Sequence, residues 1–414
     1  MRIGIYSPNY PGITGEGGIG TYTRNTAHAL CAAGHEVHAL VPGPVTRQTS
    51  DGPVQVHLTP NQHLPVVDRL LPGFGVGYRI SRAMRQLVSS LRLDVVEFPN
   101  WEGVGTVFQA TRRVPSVVRL HTSSRETHEI DGGKVSRLRR WDFRWEKWLA
   151  LGADTLVTHS NAHRARMAKE LGVDEGRISV VPHGVPVYPG FQRRTESNNE
   201  RLVVYVGRLE KRKGTLDLMR AIPSVLRAIG ATRFVFIGGD RPHCPGGRTH
   251  AEFIREELPS EARERIQLLG RLPDDEVNRW LQTADLFVAP SVYESFGLVF
   301  LEAMRWGTPV IGARAGGVPE IVDDGRTGFL ASPGNPAELA RLIVTVLGNE
   351  QLRRQIGEAG RCRVETQFSI NVTAAKVAEL YLRTQLQWRH ARKPLPWTIS
   401  SFRSLSRRTT TPAT

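Results

Sequence analysis

Between Ile3 and Val41 the chain runs strand, glycine loop, helix, strand, and that order commits it to a parallel sheet. Ile3 to Tyr6 reads as the first strand and Pro8 to Gly20 as a loop holding Gly12, Gly15, Gly17, Gly18 and Gly20. Thr21 to Ala33 reads as a helix closed by Gly34, and His35 to Val41 as the second strand. Two strands joined through a helix lie parallel in one sheet, so an α/β fold is predicted. Glycines at this turn let backbone approach a ligand, with the helix N-terminus behind them. A dinucleotide fingerprint also needs an acidic residue closing the second strand. Pro42 and Gly43 stand there instead, which disfavours a nicotinamide dehydrogenase.

The pattern continues and then restarts. Leu93 to Phe98 is a strand leading into Pro99-Asn100-Trp101-Glu102, and Ser116 to Leu120 is another, delivering His121-Thr122-Ser123-Ser124 at its carboxyl end. Ligands of open α/β sheets sit beyond the carboxyl ends of strands, which singles out His121 among the thirteen histidines; a hydrogen-bonded loop histidine is the alternative. Asp154 to Ser160 is a strand followed by a helix capped at Ser160 or Asn161, and Ile178 to Val185 closes the first domain. Pro189 to Glu200 is polar and turn-rich, a linker. A second series of strands begins at Leu202. The expected division is an N-terminal domain over 1–188, a linker over 189–200, a C-terminal domain over 201–370, a helix over 371–390 and a basic tail over 391–414 that has little to bury.

A chain of 414 residues exceeds one ordinary core, so two domains are also the expectation from length. Cys31, Cys244 and Cys362 share no ligand spacing, which points to a reducing compartment. The N-terminus enters a strand directly, and no run of about 18 apolar residues occurs. The expected location is the cytoplasm, with contact at the inner face of the membrane left open. The formal net charge is +15. It is dispersed, whereas a nucleic-acid binder concentrates charge in a stripe with interleaved aromatics; specific nucleic-acid binding is not expected. Lys134 to Leu151 reads as a helix with Trp141, Trp145 and Trp148 on one face and Arg137, Arg139, Arg140 and Arg144 beside them. Either the tryptophans pack on the sheet or they meet lipid while the arginines meet head groups.

The stretch from Ala289 to Glu320 concentrates the chemistry. A strand ends at Pro290, a loop follows, then a helix ending at Gly307, then a strand from Pro309 into Gly316-Gly317. Glu294 in the loop and Glu302 on the helix are eight residues apart, at most about 12 Å along a helix axis, enough to hold two ends of one elongated ligand. Ser295 to Leu298 offers backbone N–H groups to an anion. The alternative makes Glu294 a helix cap and Glu302 a solvated charge. In the second domain Gly207-Arg208 through Lys213-Gly214 follows the first strand. Arg208 presents a planar fork to phosphate oxygens and Lys213 a compact charge. No D-x-D motif occurs.

Taken in order, these features resemble the retaining nucleotide-sugar transferases of glycosyltransferase family 4. The resemblance rests on Gly207-Arg208, Lys213-Gly214 and the E-x7-E pair Glu294 and Glu302. Looser support comes from the Gly15 to Gly20 loop, Gly34-His35-Glu36-Val37, His121, Pro182-His183-Gly184-Val185 and Gly316 to Glu320.

It implies a GT-B fold: two Rossmann-like parallel-sheet domains facing across a cleft, with a C-terminal helix crossing back to the N-terminal domain. It further implies a metal-independent enzyme without a cofactor. That enzyme transfers a hexose-type sugar from a UDP- or GDP-sugar to a saccharide or lipid-linked acceptor. Arg208 and Lys213 would steady the departing diphosphate, and Glu294 would bind the transferred sugar. Glu302 would take the ribose hydroxyls. Phe296, Gly297 and Leu298 would lie against sugar and diphosphate, with Gly17 and Gly18 on the donor as well. His121 would line the reaction centre without being assigned as a base. Trp101, Glu102 and Thr122 belong to the acceptor side. Contact with an anionic membrane accords with the basic surface. An epimerase-like enzyme on the same fold is the alternative, and a basic nucleic-acid-binding protein is the more distant one.

Overall fold

The computed structural model describes residues 1–15, 17–61, 65–132, 135–188, 190–191 and 200–390. Most of the expected linker and all of the tail from 391 onward lie outside the described residues. The chain divides into two compact units. One comprises Met1–Thr158, Met167–Ser179 and the chain from Ala374; the other comprises His159–Arg166 and Val180–Thr373.

The first sheet has eight strands: β1 (Arg2–Tyr6), β2 (Glu36–Gly43), β3 (Arg47–Asp51), β4 (Val54–Pro60), β5 (Val95–Pro99), β6 (Ser116–Arg119), β7 (Thr155–Thr158) and β8 (Ile178–Val180). Their order is β3-β4-β2-β1-β5-β6-β7-β8. β1 pairs in parallel with both β2 and β5, Ile3 standing opposite Val37 on one side and Val95 on the other. Ile3, Ile5, Val37, Ala39, Val95 and Val96 are all buried, as expected of parallel strands covered on both faces. The antiparallel β3–β4 ribbon at the edge is absent from the sequence expectation. β3 is Arg-Gln-Thr-Ser-Asp with no buried residue, so an exposed edge strand leaves no apolar alternation to read.

Two polar clusters stiffen this unit. Arg119, fully buried, donates from Nε to Glu97 at 3.0 Å, and Glu97 also accepts from Tyr22 at 3.3 Å and Tyr381 at 2.9 Å. Tyr381 lies on the last helix, Ile370–His390, which is further held here by Gln385 donating to Asp94 at 2.9 Å. A buried pair of this kind persists because each charge is hydrogen-bonded. Near the glycine loop, Asp51 accepts from Arg24 at 2.7 Å, from Tyr10 at 3.1 Å and contacts His28 at 2.7 Å. The hydrogen bond from Arg24 holds this carboxyl well below the usual range despite partial burial.

The tryptophan helix spans Arg137–Gly152 and starts under Ser136, whose side chain accepts from the Arg139 amide at 3.2 Å. Trp145 is buried and its indole N–H donates to the Pro72 carbonyl at 2.7 Å. Trp141 and Trp148 pack on it with ring centroids 6.0 and 5.1 Å away. Packing therefore accounts for Trp145, as the first of the two readings held.

The second sheet has six parallel strands: β9 (Arg201–Val206), β10 (Thr232–Ile237), β11 (Ile266–Gly270), β12 (Leu286–Ala289), β13 (Val310–Ala313) and β14 (Phe329–Ala331). The order β11-β10-β9-β12-β13-β14 reverses between β9 and β12. Ligands of such sheets bind where the order reverses, and that point lies at the carboxyl ends of β9 and β12.

Candidate functional site

Arg208 to Gly214 leaves β9, and Pro290 to Gly297 leaves β12, so topology alone brings two of the sequence motifs together. Lys213 Nζ forms a short ion pair with Glu294 Oε1. Arg212 Nη1 lies 3.9 Å from the other oxygen of Glu294, and Ser291 Oγ donates to Glu294 at 3.1 Å. Burial pushes Glu294 upward, but the charges of Lys213 and Arg212 and the hydrogen bonds from Lys213 and Ser291 outweigh it, holding the carboxyl below its ordinary value. Burial lowers Lys213, and Arg212 adds to that, against the attraction of Glu294. Arg212 also donates to Glu210 at 3.1 Å, while Arg208, with a side chain 46% exposed, reaches the same Glu210 oxygen at 3.2 Å. Three cations and two carboxylates thus share one network at the switch point.

The loops carrying this network are locked at the backbone. Gly214 adopts φ 65°, and a Cβ there would stand 1.9 Å from the Pro290 carbonyl oxygen. Beside it the Val292 amide donates to the Arg212 carbonyl at 2.9 Å. Gly316 adopts φ 55° with its Cβ direction 1.9 Å from the Glu294 carbonyl oxygen, and the Gly317 amide donates to that oxygen at 2.8 Å. Both positions need glycine for the same reason: a left-handed backbone and no room for a side chain.

Further contacts tie these loops to neighbouring elements, and among them Thr215, His250, Asp240 and His163 carried no sequence signal of their own. Thr215 Oγ1 lies 2.6 Å from His250 Nε2, and His250 Nδ1 lies 2.9 Å from Asp240, tying the start of the helix Thr215–Ala228 to the end of β10. Glu320 closes the Gly316 to Glu320 motif by accepting the Asn161 and Ala162 amides at 2.9 and 2.8 Å. The Ser160 hydroxyl accepts from the His163 amide at 3.1 Å, so Ser160 caps this helix as read. His159, His163, His183 and Phe296 cluster as four rings: His163 stacks on His159, the His159 and His183 centroids lie 4.6 Å apart, and Phe296 meets His183 edge-on at 5.2 Å. Partner residues at such long sequence separations are invisible to local patterns; only the single polar residues in otherwise apolar surroundings hinted at them.

Glu302 lies on the helix Leu298–Met304, half-buried. Burial raises its carboxyl, with the Arg305 charge opposing. The helix starts after Gly297 (φ 103°) with no side-chain cap and stops at Met304, before Gly307. The reading of Glu294 as a cap is therefore set aside.

In the first unit, His121 is buried at the end of β6, its backbone clasped by Asn100. The His121 amide donates to Asn100 Oδ1 at 2.7 Å, and Asn100 Nδ2 donates to the His121 carbonyl at 3.1 Å. The His121 ring meets Tyr22 edge-on at 6.0 Å. Gly17 and Gly18 begin the helix Gly18–Ala32. A Cβ on Gly17 would meet the Asn9 side chain at 2.4 Å, whereas one on Gly18 would meet nothing within 4 Å. Trp101 is half-buried, Glu102 exposed and Thr122 half-buried. Glu102 adopts φ 56°, uncommon for a residue with a side chain.

Two family models divide the chain between them. Residues 16–187 match the model for Glycosyltransferase Family 4 and residues 190–363 that for glycosyl transferases group 1. The chain belongs to the group 1 glycosyl transferases of family 4. This glycosyltransferase is 28% identical to the glycogen synthase of Mycobacterium tuberculosis over 96% of its own length and 97% of the relative's. It is 29% identical to the D-inositol 3-phosphate glycosyltransferase of Corynebacterium efficiens, over 92% and 95%. Among solved structures it resembles sucrose-phosphate synthase from Thermosynechococcus elongatus, with a TM-score of 0.75, 22% identity and coverage of 92% and 98%. It also resembles Anabaena HepE in complex with UDP and glucose, with a TM-score of 0.67, 20% identity and coverage of 92% and 99%. These likenesses agree with the two parallel sheets and identify the transferase's fold as GT-B. No helix among the described residues is long and apolar enough to cross a membrane.

Proposed function

We propose that this glycosyltransferase is a retaining, metal-independent hexosyltransferase that uses a UDP- or GDP-sugar. The supporting observation is the cation network of Arg208, Arg212 and Lys213, joined to Glu294 at the switch point of the second sheet. A departing nucleoside diphosphate gains negative charge as the glycosidic bond breaks. Fixed cations in a partly buried site stabilise that charge without reorganising, the service a divalent metal supplies elsewhere. Arg208, half-exposed, is the side chain of this set best disposed to reach a phosphate. Lys213 would exchange part of its bond with Glu294 for the diphosphate, leaving Glu294 to accept a hydroxyl of the sugar. Glu302 takes the ribose, Phe296 to Leu298 line the donor, and Gly17 and Gly18 approach it. His121 contacts the donor sugar, and Trp101, Glu102 and Thr122 contact the acceptor.

The acceptor is a saccharide or a lipid-linked saccharide, used in the cytoplasm or at the inner face of the membrane. Membrane contact is supported by Val66, Leu70 and Leu138, which are 79%, 72% and 63% exposed near Arg69, Arg139 and Arg140. Apolar side chains beside arginines suit an anionic lipid surface.

The test is a panel of nucleotide sugars with glycogen and D-inositol 3-phosphate as first acceptors, run in EDTA, with the anomeric configuration of the product read by NMR. Transfer with retention in EDTA is expected. Strict dependence on a divalent ion, inversion, or release of an epimerised nucleotide sugar would each overturn the corresponding part of the proposal.

A further inference from the structure

Glu146, like Glu97 and Glu126, is a buried acid of the first unit that the proposed reaction leaves unused. It lies on the helix Arg137–Gly152, 4% exposed, and its neighbours are hydrogen-bond donors. The Glu102 amide donates to Oε1 at 3.1 Å. The Ser124 amide donates to Oε2 at 3.0 Å, and the Ser124 hydroxyl to Oε1 at 2.6 Å. One carboxylate therefore joins two loops, one leaving β5 and the other leaving β6.

A second observation at the same place is independent of the carboxylate. Gly103, with φ 60°, presses against the helix backbone so closely that a Cβ would stand 2.2 Å from the Trp145 carbonyl carbon. Thr106 Oγ1 bridges the carbonyls of Gly103 and Trp145 at 2.7 and 3.0 Å. The turn Trp101–Gly103 is thus clamped onto the helix at Trp145 and Glu146, and within it Glu102, an exposed residue, is held in a left-handed backbone. Backbone strain of this kind persists only where the surroundings over-determine it. On the other loop, Glu146 grips Ser124, three residues after His121, whose backbone is tied to Asn100.

The geometry points to Glu146 as a positioning residue for acceptor recognition, holding Glu102 and the His121 to Ser124 segment in one fixed arrangement. It touches no substrate itself. Helix and strand-end loops are then one assembly, and the acceptor site depends on a residue that only the fold brings near. This inference rests on the proposed transferase reading, in which Trp101, Glu102 and Thr122 face the acceptor.

The test uses the full-length chain and Glu146→Gln. At about pH 9, above the value of about 8 to which burial raises this carboxyl, glutamine keeps the volume but replaces one acceptor oxygen with NH2, so a donor from Glu102 or Ser124 meets another donor. Hydrogen exchange read by mass spectrometry should speed up at least tenfold in peptides spanning 100–104 and 122–126, and remain unchanged in the second unit. With whichever donor and acceptor the wild type uses from the panel above, KM for the acceptor should rise about tenfold or more, with KM for the donor within twofold. Unchanged exchange in both peptides would overturn the inference, and so would equal rises in both KM values. Should Glu146→Ala fail to fold, Glu146→Gln still decides. If the wild type transfers no sugar at all, the transferase reading fails by itself, and the exchange measurement still tests whether Glu146 holds the loops.

Discussion

Removing the charge of Lys213 is the perturbation the structure constrains best. In Lys213→Met, Glu294 remains 8% exposed and keeps only Arg212 at 3.9 Å and the Ser291 hydroxyl at 3.1 Å. Breaking a buried ion pair by deleting one partner costs about 3–5 kcal/mol. The Lys213 side chain is 18% exposed and Arg212 still compensates, so a cost of about 2–3 kcal/mol is expected. Glu294→Gln leaves Lys213 beside Arg212 and should cost a similar amount. The double variant removes both charges, and its cost should be about 3 kcal/mol rather than the sum, a coupling of about 2 kcal/mol. Urea unfolding followed by fluorescence measures this: at a slope of about 2–3 kcal/mol/M the single variants lose roughly 1 M in midpoint. The pH dependence has a definite sign. Glu294 is held below its ordinary value, so its contribution is present above the unfolded carboxylate pKa and fades as pH falls through the lower folded value. The gap between wild type and Lys213→Met should close in acid. Additive single effects, or a gap that widens in acid, would refute the reasoning.

Two further outcomes are expected. Gly214→Ala should destabilise by about 2 kcal/mol or more, since φ is 65° and the new Cβ would stand 1.9 Å from the Pro290 oxygen; a thermal shift within a degree of wild type would contradict the backbone account. Burial pushes the Glu146 carboxyl up from 4.5 to about 8, with hydrogen bonds from Ser124 and Glu102 opposing. A carboxyl raised on folding favours the native state below its unfolded pKa, and that contribution is lost as pH rises through the folded value. Stability should therefore decline between about pH 4.5 and 8, by at most about 5 kcal/mol at about 1.4 kcal/mol per unit. Glu146→Gln should flatten that part of the pH–stability curve, and an identical slope in the variant would count against it.

Much of the architecture was legible because buried parallel strands write themselves as short apolar runs with glycine at their ends. β9, β12 and β13 fall where the series beginning at Leu202, the strand ending at Pro290 and the strand from Pro309 announced them. The edge strand β3 was not legible, because an exposed strand has no core to satisfy. The helix Leu298–Met304 ended earlier than Gly307 suggested, since a glycine marks where a helix must have stopped, not where it first does. At the site, Arg208, Lys213, Glu294 and Glu302 were readable as residue types at fixed spacing. His250, Asp240 and Glu146 were not, because their partners lie on other elements, and nothing in the local order of Glu210 and Arg212 showed that they join the Glu294 network.

The sequence by itself determined the parallel-sheet class, the restart after residue 200 and the membership in a glycosyltransferase family. Each of these is written in local order, in short apolar runs and motif spacings that need no distant partner. Only the tertiary structure decided that Lys213 spends its charge on Glu294, that Glu320 caps the helix beginning at Asn161, and that Glu146 holds two strand-end loops. Which donor meets which acceptor across 22 to 159 residues depends on how strands are ordered in a sheet, and that order is settled by packing the whole chain at once.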